Sequence, residues 1–180
     1  MKDILMDSAT ERAHWSDLRG TRHRPPGAAR SGVRQKTYVS ALQQAEELFR
    51  AASVVGPATR PLLQFYGLSQ AGRAIGATAV AAGPNDWKFS GHGIKNADIV
   101  GPLSDIKIYP EGRALTSFVG LSTILGSPLW DKAEAPTLAK VWDSLVEAID
   151  LPLVDSADRR PVLLAFPDLG YSDGIADDRG

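Results

Sequence analysis

Apolar positions along this chain fall into patterned blocks separated by glycine- and proline-rich breaks. Between Ser31 and Val54, the residues Tyr38, Leu42, Ala45, Phe49 and Ala52 recur at steps of four, three, four and three, the period of one helix face. Gln43, Glu46, Glu47 and Arg50 supply the wetted side; Ser31 suits the N-cap and Gly56-Pro57 the stop. The next block, Thr59–Gly83, is apolar on most faces, which predicts a helix surrounded by protein. Thr59 suits its cap, Pro61 its first turn and Gly83-Pro84 its end. Gly67, Gly72 and Gly76 lie inside it, each costing about 1 kcal/mol relative to alanine. Three such residues imply that other elements approach closely.

Further on, Ile106, Ile108 and Leu115, Phe118 flank Pro110-Glu111-Gly112, a pattern that predicts a hairpin. An apolar run, Ser117–Leu125, follows. Leu138, Val141, Trp142, Leu145 and Ile149 mark a second amphipathic helix over Ala135–Ile149, with Pro136 in its first turn. Ahead of these, a short helix is expected around Asp7–Leu18, with Trp15 docked on the core and Arg19–Gly27 as a loop. Pro161–Phe166 reads as a short strand. Together these elements predict a helix-rich α+β fold: a central buried helix, flanking amphipathic helices and a small antiparallel β-hairpin or sheet. The expected organisation is a partly flexible basic segment over 1–30, a single globular domain over 31–166 and a disordered acidic tail over 167–180. A chain of 180 residues, 43% hydrophobic, has enough apolar material for one core.

Composition narrows the chemistry. Zero cysteines exclude a disulfide scaffold, a thiolate zinc site and a cysteine nucleophile. Residues 1–20 carry Asp3, Asp7, Glu11 and Asp17 with no apolar core of a signal peptide, and Arg73 interrupts the most apolar segment. The expectation is a cytoplasmic protein with no membrane partner, no cofactor and no metal.

Net charge is −1, but it is unevenly spread. Arg12, Arg19, Arg22, Arg24, Arg30, Arg34 and Lys36 face one acid, Asp17, whereas the chain from Asp143 onward is acidic. Arg19, Arg22, Arg24, Arg30 and Arg34 are therefore candidates for a nucleic-acid contact. With Trp15 docked on the core, no aromatic residue interleaves the Arg12–Lys36 cluster to stack on bases. A solvated segment lying against an acidic region of the same molecule is the simpler reading. Arg19 and His23, in a loop rich in proline and glycine, lack the helical spacing of a metal-independent ribonuclease pair.

Two constellations bear on catalysis or binding. Gly67-Leu68-Ser69-Gln70-Ala71 nearly matches a nucleophile elbow, in which a strand, a sharp turn and a helix expose a serine to a histidine base. His92 is the downstream histidine. About 60 residues precede the serine, short of the usual upstream strands, and no acid-then-histidine order follows. On the helical reading, Tyr66, Gln70 and Arg73 share a stripe. A buried Arg73 then needs an acid, such as Asp98, Asp105 or the C-terminal carboxylates, or binds an anionic ligand. His92, flanked by Gly91 and Gly93, is a further ligand candidate or a loop-holding residue. The helix is the preferred reading, and Ser69 with His92 the hydrolase alternative.

Arg60-Pro61-Leu62-Leu63-Gln64-Phe65-Tyr66-Gly67-Leu68, preceded by the amphipathic helix from Tyr38, resembles the core of the bacterial YaaC-like proteins. Ser90-Gly91-His92-Gly93-Ile94, Ile106-Lys107-Ile108, Gly112-Arg113-Ala114-Leu115 and Trp142-Asp143-Ser144-Leu145 are similar to the landmarks that follow. The resemblance spans Ser31–Leu151. It implies no catalytic residues, and it favours the helix because the family keeps no serine at the position of Ser69. It also implies a longer chain, of which this one is a short or truncated member. The expected function is a binding or interaction module, with a protein partner or a second copy among its occupants.

Overall fold

The computed structural model describes residues 8–97, 99–112, 115–145, 148 and 150–154. The strand expected at Pro161–Phe166 and the acidic tail lie outside the described residues. Along the chain come α1 (Ser8–Thr21), a 3-10 turn (Gly27–Arg30), α2 (Gly32–Val54), α3 (Arg60–Thr78) and β1 (Ile94–Ala97). A second 3-10 turn (Leu103–Asp105), β2 (Lys107–Pro110), α4 (Ser117–Leu125) and α5 (Leu138–Trp142) complete it. This is the helix-rich α+β architecture the pattern predicts, with β1 and β2 pairing as a two-stranded antiparallel sheet.

The described residues form two compact units. One contains those up to Lys95 together with Tyr109–Ala135; the other contains Asn96–Ile108 and those from Pro136 onward. The first unit is built on the α2–α3 pair. Tyr38, Leu42, Ala45 and Ala52 are buried along the predicted face of α2, and Ala41, Ala74, Ala77, Ala29 and Trp87 join Tyr38 and Leu42 in one core cluster. Alanines dominate that cluster, so the helices lie close and gain dispersion rather than bulk apolar area. Trp15 packs against it and its ring centroid lies 6.1 Å from that of Phe49, as expected of α1.

The three interior glycines of α3 are accounted for by what lies against them. A Cβ at Gly67 would stand 3.2 Å from the Phe49 ring, one at Gly72 would stand 3.1 Å from Leu121 Cδ2, and one at Gly76 would stand 2.8 Å from the Phe89 ring. Each glycine thus admits a different neighbour: α2, α4 and the Trp87–Phe89 segment. The helix is buried on these sides and open on another, where Leu62, Phe65, Tyr66, Leu68 and Ile75 are exposed. It stops at Thr78 rather than running to Gly83. The segment beyond it is held by Arg34 on α2, whose guanidinium donates to the carbonyls of Ala79 (2.7 Å), Ala82 (3.0 Å) and Gly83 (3.1 Å). It also sits 5.0 Å over the Trp87 ring. Carbonyls released from the helix are taken up by one forked cation.

Several local expectations are corrected. Ser31 and Thr59 occupy N-cap positions, but neither side chain makes a capping hydrogen bond. Arg19-Gly20-Thr21 completes α1 instead of starting the loop. The strand β2 pairs with β1, so Leu115–Phe118 is no hairpin partner. The apolar run from Ser117 is helix α4, because Phe118, Leu121 and Leu125 recur at steps of three and four. In the second unit, α5 covers only Leu138–Trp142. Thr137 caps it by accepting from the Lys140 N–H, which leaves Pro136 before the cap rather than in the first turn. Its N-terminal side is pinned by Leu138 N–H donating to Ile106 O (2.7 Å) and by a bridge between Lys107 and Thr137. Among the described residues, no helix is long and apolar enough to cross a membrane.

Candidate functional site

Ser69 sits in the interior of α3, where the N–H groups around it are committed to helical hydrogen bonds. A nucleophile elbow needs a strand, a sharp turn and free backbone donors for an oxyanion. None of these exists at Gly67–Ala71, so the elbow is not formed. Yet Ser69 and His92 come together in another way. Both line a cleft of about 300 Å³, with Phe65, Leu68 and Gly72 from α3, Phe118 and Leu121 from α4, and Ile94 and Ser117 at its rim. Positions 65, 68, 69 and 72 are the spacing of one helix face.

The loop that brings His92 here is held by its backbone. Gly91 (φ 70°) and Gly93 (φ 78°) both adopt the left-handed conformation that side chains disfavour. That geometry aims two carbonyls at the start of α4: Gly91 O accepts from Ser117 N–H (3.3 Å) and Oγ (2.8 Å), and His92 O accepts from Phe118 N–H (2.9 Å). Helix α4 is thereby capped by the loop, since Thr116 makes no side-chain cap. His92 is thus a loop-holding residue through its backbone carbonyl. The ring instead lies edge-to-face with Phe65, centroids 4.8 Å apart at 68°, and makes no hydrogen bond among the described residues. Neither does the Ser69 hydroxyl, which is half-buried. The cleft is an apolar cavity that retains two uncommitted polar groups.

The anion-binding stripe looks different from its expectation. Tyr66 and Arg73 are exposed, Gln70 is half-buried, and none of the three lines the cleft. Arg73 was expected to be buried with an acidic partner; solvent surrounds it, and it forms no ion pair among the described residues. Its position seven residues from Tyr66 puts both on the open side of α3.

The five candidate arginines divide by what they touch. Glu46 is buried (4% exposed) and accepts from Arg19 (2.5 Å) and Arg22 (2.7 Å), with Arg50 3.5 Å away. Arg34 is committed to α3, as above. Arg24 and Arg30 are exposed and have no partner among the described residues. For Arg19 and Arg22 the acidic group of the same molecule is a single glutamate, on the side of α2 that the pattern reads as wetted. Among the described residues no group of acids and histidines could hold a metal ion.

These residues make a helix-rich α+β unit with a small, mostly apolar cleft. Residues 9–164 match the family described as YaaC-like Protein, and the chain belongs to that family. Comparison with curated proteins and with solved structures returns no match.

Proposed function

We propose that the protein is a non-catalytic binding module that takes a small, aromatic-bodied molecule in the α3–α4 cleft. The observation that supports this most is the pairing of apolar walls with two uncommitted polar groups, Ser69 and His92. Sites for small ligands combine these features: apolar walls bury the body, and a few polar groups fix its orientation. Phe65, Leu68, Phe118 and Leu121 would supply contact area, while the Ser69 hydroxyl and the His92 imidazole would donate to or accept from one polar substituent. The cleft lies at the small end of ligand-site volumes, roughly 300–1,000 Å³, which favours a one- or two-ring compound. A cysteine-free chain with this site suits a cytoplasmic role.

Ligand-observed NMR with 2-naphthol, an aryl body carrying one hydroxyl, tests the reading. Saturable binding is expected in the wild type and not in Leu68→Glu, which places a charge on the cleft wall. Leu68 is 64% exposed, so that variant should fold. Equal binding by both proteins contradicts the proposal.

A further inference from the structure

We infer that the cleft at the α1–α2 junction, lined by His23, Arg24, Pro25, Pro26, Arg30 and Gln35, binds the phosphate group of a small phosphorylated molecule. The cleft is open to solvent and offers about 460 Å³, room for a phosphate together with part of what it is attached to.

Three observations converge there. The first is the difference in commitment among neighbouring arginines. Arg19, Arg22 and Arg34 are spent on internal acceptors, whereas Arg24 and Arg30 face solvent with none among the described residues. A guanidinium offers paired donors that match two phosphate oxygens, and two guanidiniums around one cleft match a dianion.

The second observation is rigidity. Pro25 is buried, Ala29 is fully buried, and Ala29 N–H donates to Pro26 O (3.1 Å). Gly27 has φ 55° and packs directly on the Thr78 backbone, so the loop is pinned against the end of α3. Arg24 and Arg30 therefore stand on a fixed support, and less freedom is lost when they close on a ligand.

The third is the surrounding charge. No acidic side chain lines the cleft to compete for Arg24 or Arg30. No Phe, Tyr or Trp side chain lines the cleft. Stacking platforms are what let proteins hold single-stranded nucleic acid without reading its sequence. Their lack here favours a small phosphorylated molecule over a polynucleotide.

Isothermal titration of the full chain with inorganic pyrophosphate tests the inference, using Arg24→Gln/Arg30→Gln and a charge-matched control, Arg12→Gln/Lys36→Gln. All four residues are exposed, and thermal melts should coincide. The expected result is one-site binding in the wild type and the control, weakened at least tenfold in Arg24→Gln/Arg30→Gln. Absence of saturable binding in the wild type overturns the inference, as does an equal loss in both double variants. A single-stranded oligonucleotide is the second probe. Binding tighter than pyrophosphate, steep in salt and reduced equally by both double variants would assign the patch to nucleic acid and likewise overturn the cleft.

Discussion

The two clefts of the first unit are built in opposite ways. The basic cleft draws all its lining residues from His23–Gln35, a stretch of 13 residues. The apolar cleft gathers residues from Phe65 to Leu121, contributed by two helices, a loop and the start of β1. A locally encoded cleft needs its own turn to be correct and the surface on which that turn rests, here the Gly27–Thr78 contact. A cleft assembled across the chain depends on every element that carries it, above all on the packing of α3. The basic cleft should therefore register damage at the C-terminal end of α3, where Gly27 rests on Thr78, whereas the apolar cleft should register damage to either end.

The largest expected effect is at Arg34. Replacing it with alanine leaves the carbonyls of Ala79, Ala82 and Gly83 without their shared donor and removes the cation over Trp87. Hydrogen bonds to a charged group contribute about 1.5–3 kcal/mol each where they are shielded; partial exposure of this network places the total on the order of 3 kcal/mol. Denaturant unfolding should show that loss, and Arg34→Lys should recover little of it, because an ammonium cannot fork. Full rescue by lysine would contradict the assignment.

Glu46→Ala comes next. Removing one partner of a buried ion pair costs roughly 3–5 kcal/mol. Arg19 and Arg50 retain water, at 40% and 66% side-chain exposure, so about 2–3 kcal/mol is the discounted expectation. Chemical denaturation reads this value. A change below about 0.5 kcal/mol, the range of ordinary surface substitutions, would show that Glu46 does not anchor the basic segment.

Gly76→Ala and Gly20→Ala form a contrasting pair. At Gly76 the new methyl meets the Phe89 ring at 2.8 Å and the Trp87 carbonyl oxygen at 3.1 Å. The overpacking cost, about 1–3 kcal/mol, exceeds the helix-propensity gain of about 1 kcal/mol. At Gly20, in the last turn of α1, nothing lies within 4 Å, so the same change should stabilise by about 0.5 kcal/mol. Thermal melts of opposite sign are expected; equal shifts would mean that α3 does not pack as described.

The smallest effect concerns Lys95, whose pKa is raised above 10.5 by its hydrogen bond to Glu111 and by that carboxylate's charge. A raised lysine pKa contributes stability below the ordinary value and loses it as pH climbs through the folded one. Both partners are largely exposed, so Glu111→Gln should shift the melting temperature slightly at neutral pH. The difference should fade as pH climbs past 10.5 and through the raised pKa, and it should shrink in high salt.

How much of this was legible in the sequence follows from the range of the interactions. The α2 face could be read because Tyr38, Leu42, Ala45 and Ala52 carry a helical period by themselves. The three glycines of α3 announced close packing, but Phe49, Leu121 and Phe89 as their neighbours are tertiary facts. Strand β1 was missed because Ile94-Lys95-Asn96-Ala97 has no alternation, with its first three residues all exposed. Helix α4 was hidden by glycine and serine within its apolar run. Clustered arginines could be seen, though nothing local distinguishes Arg24 from Arg22. Ser69 and His92 share a cleft, on the preferred helical reading of α3 and without the elbow of the hydrolase alternative.

The central claim is that this shared cleft receives an aromatic ligand, and titration of 2-naphthol followed by protein-observed NMR tests it most directly. The account predicts saturable shifts concentrated at Phe65, Leu68, His92 and Leu121, abolished in Leu68→Glu. Shifts that never saturate, or that survive the charged substitution, would contradict it.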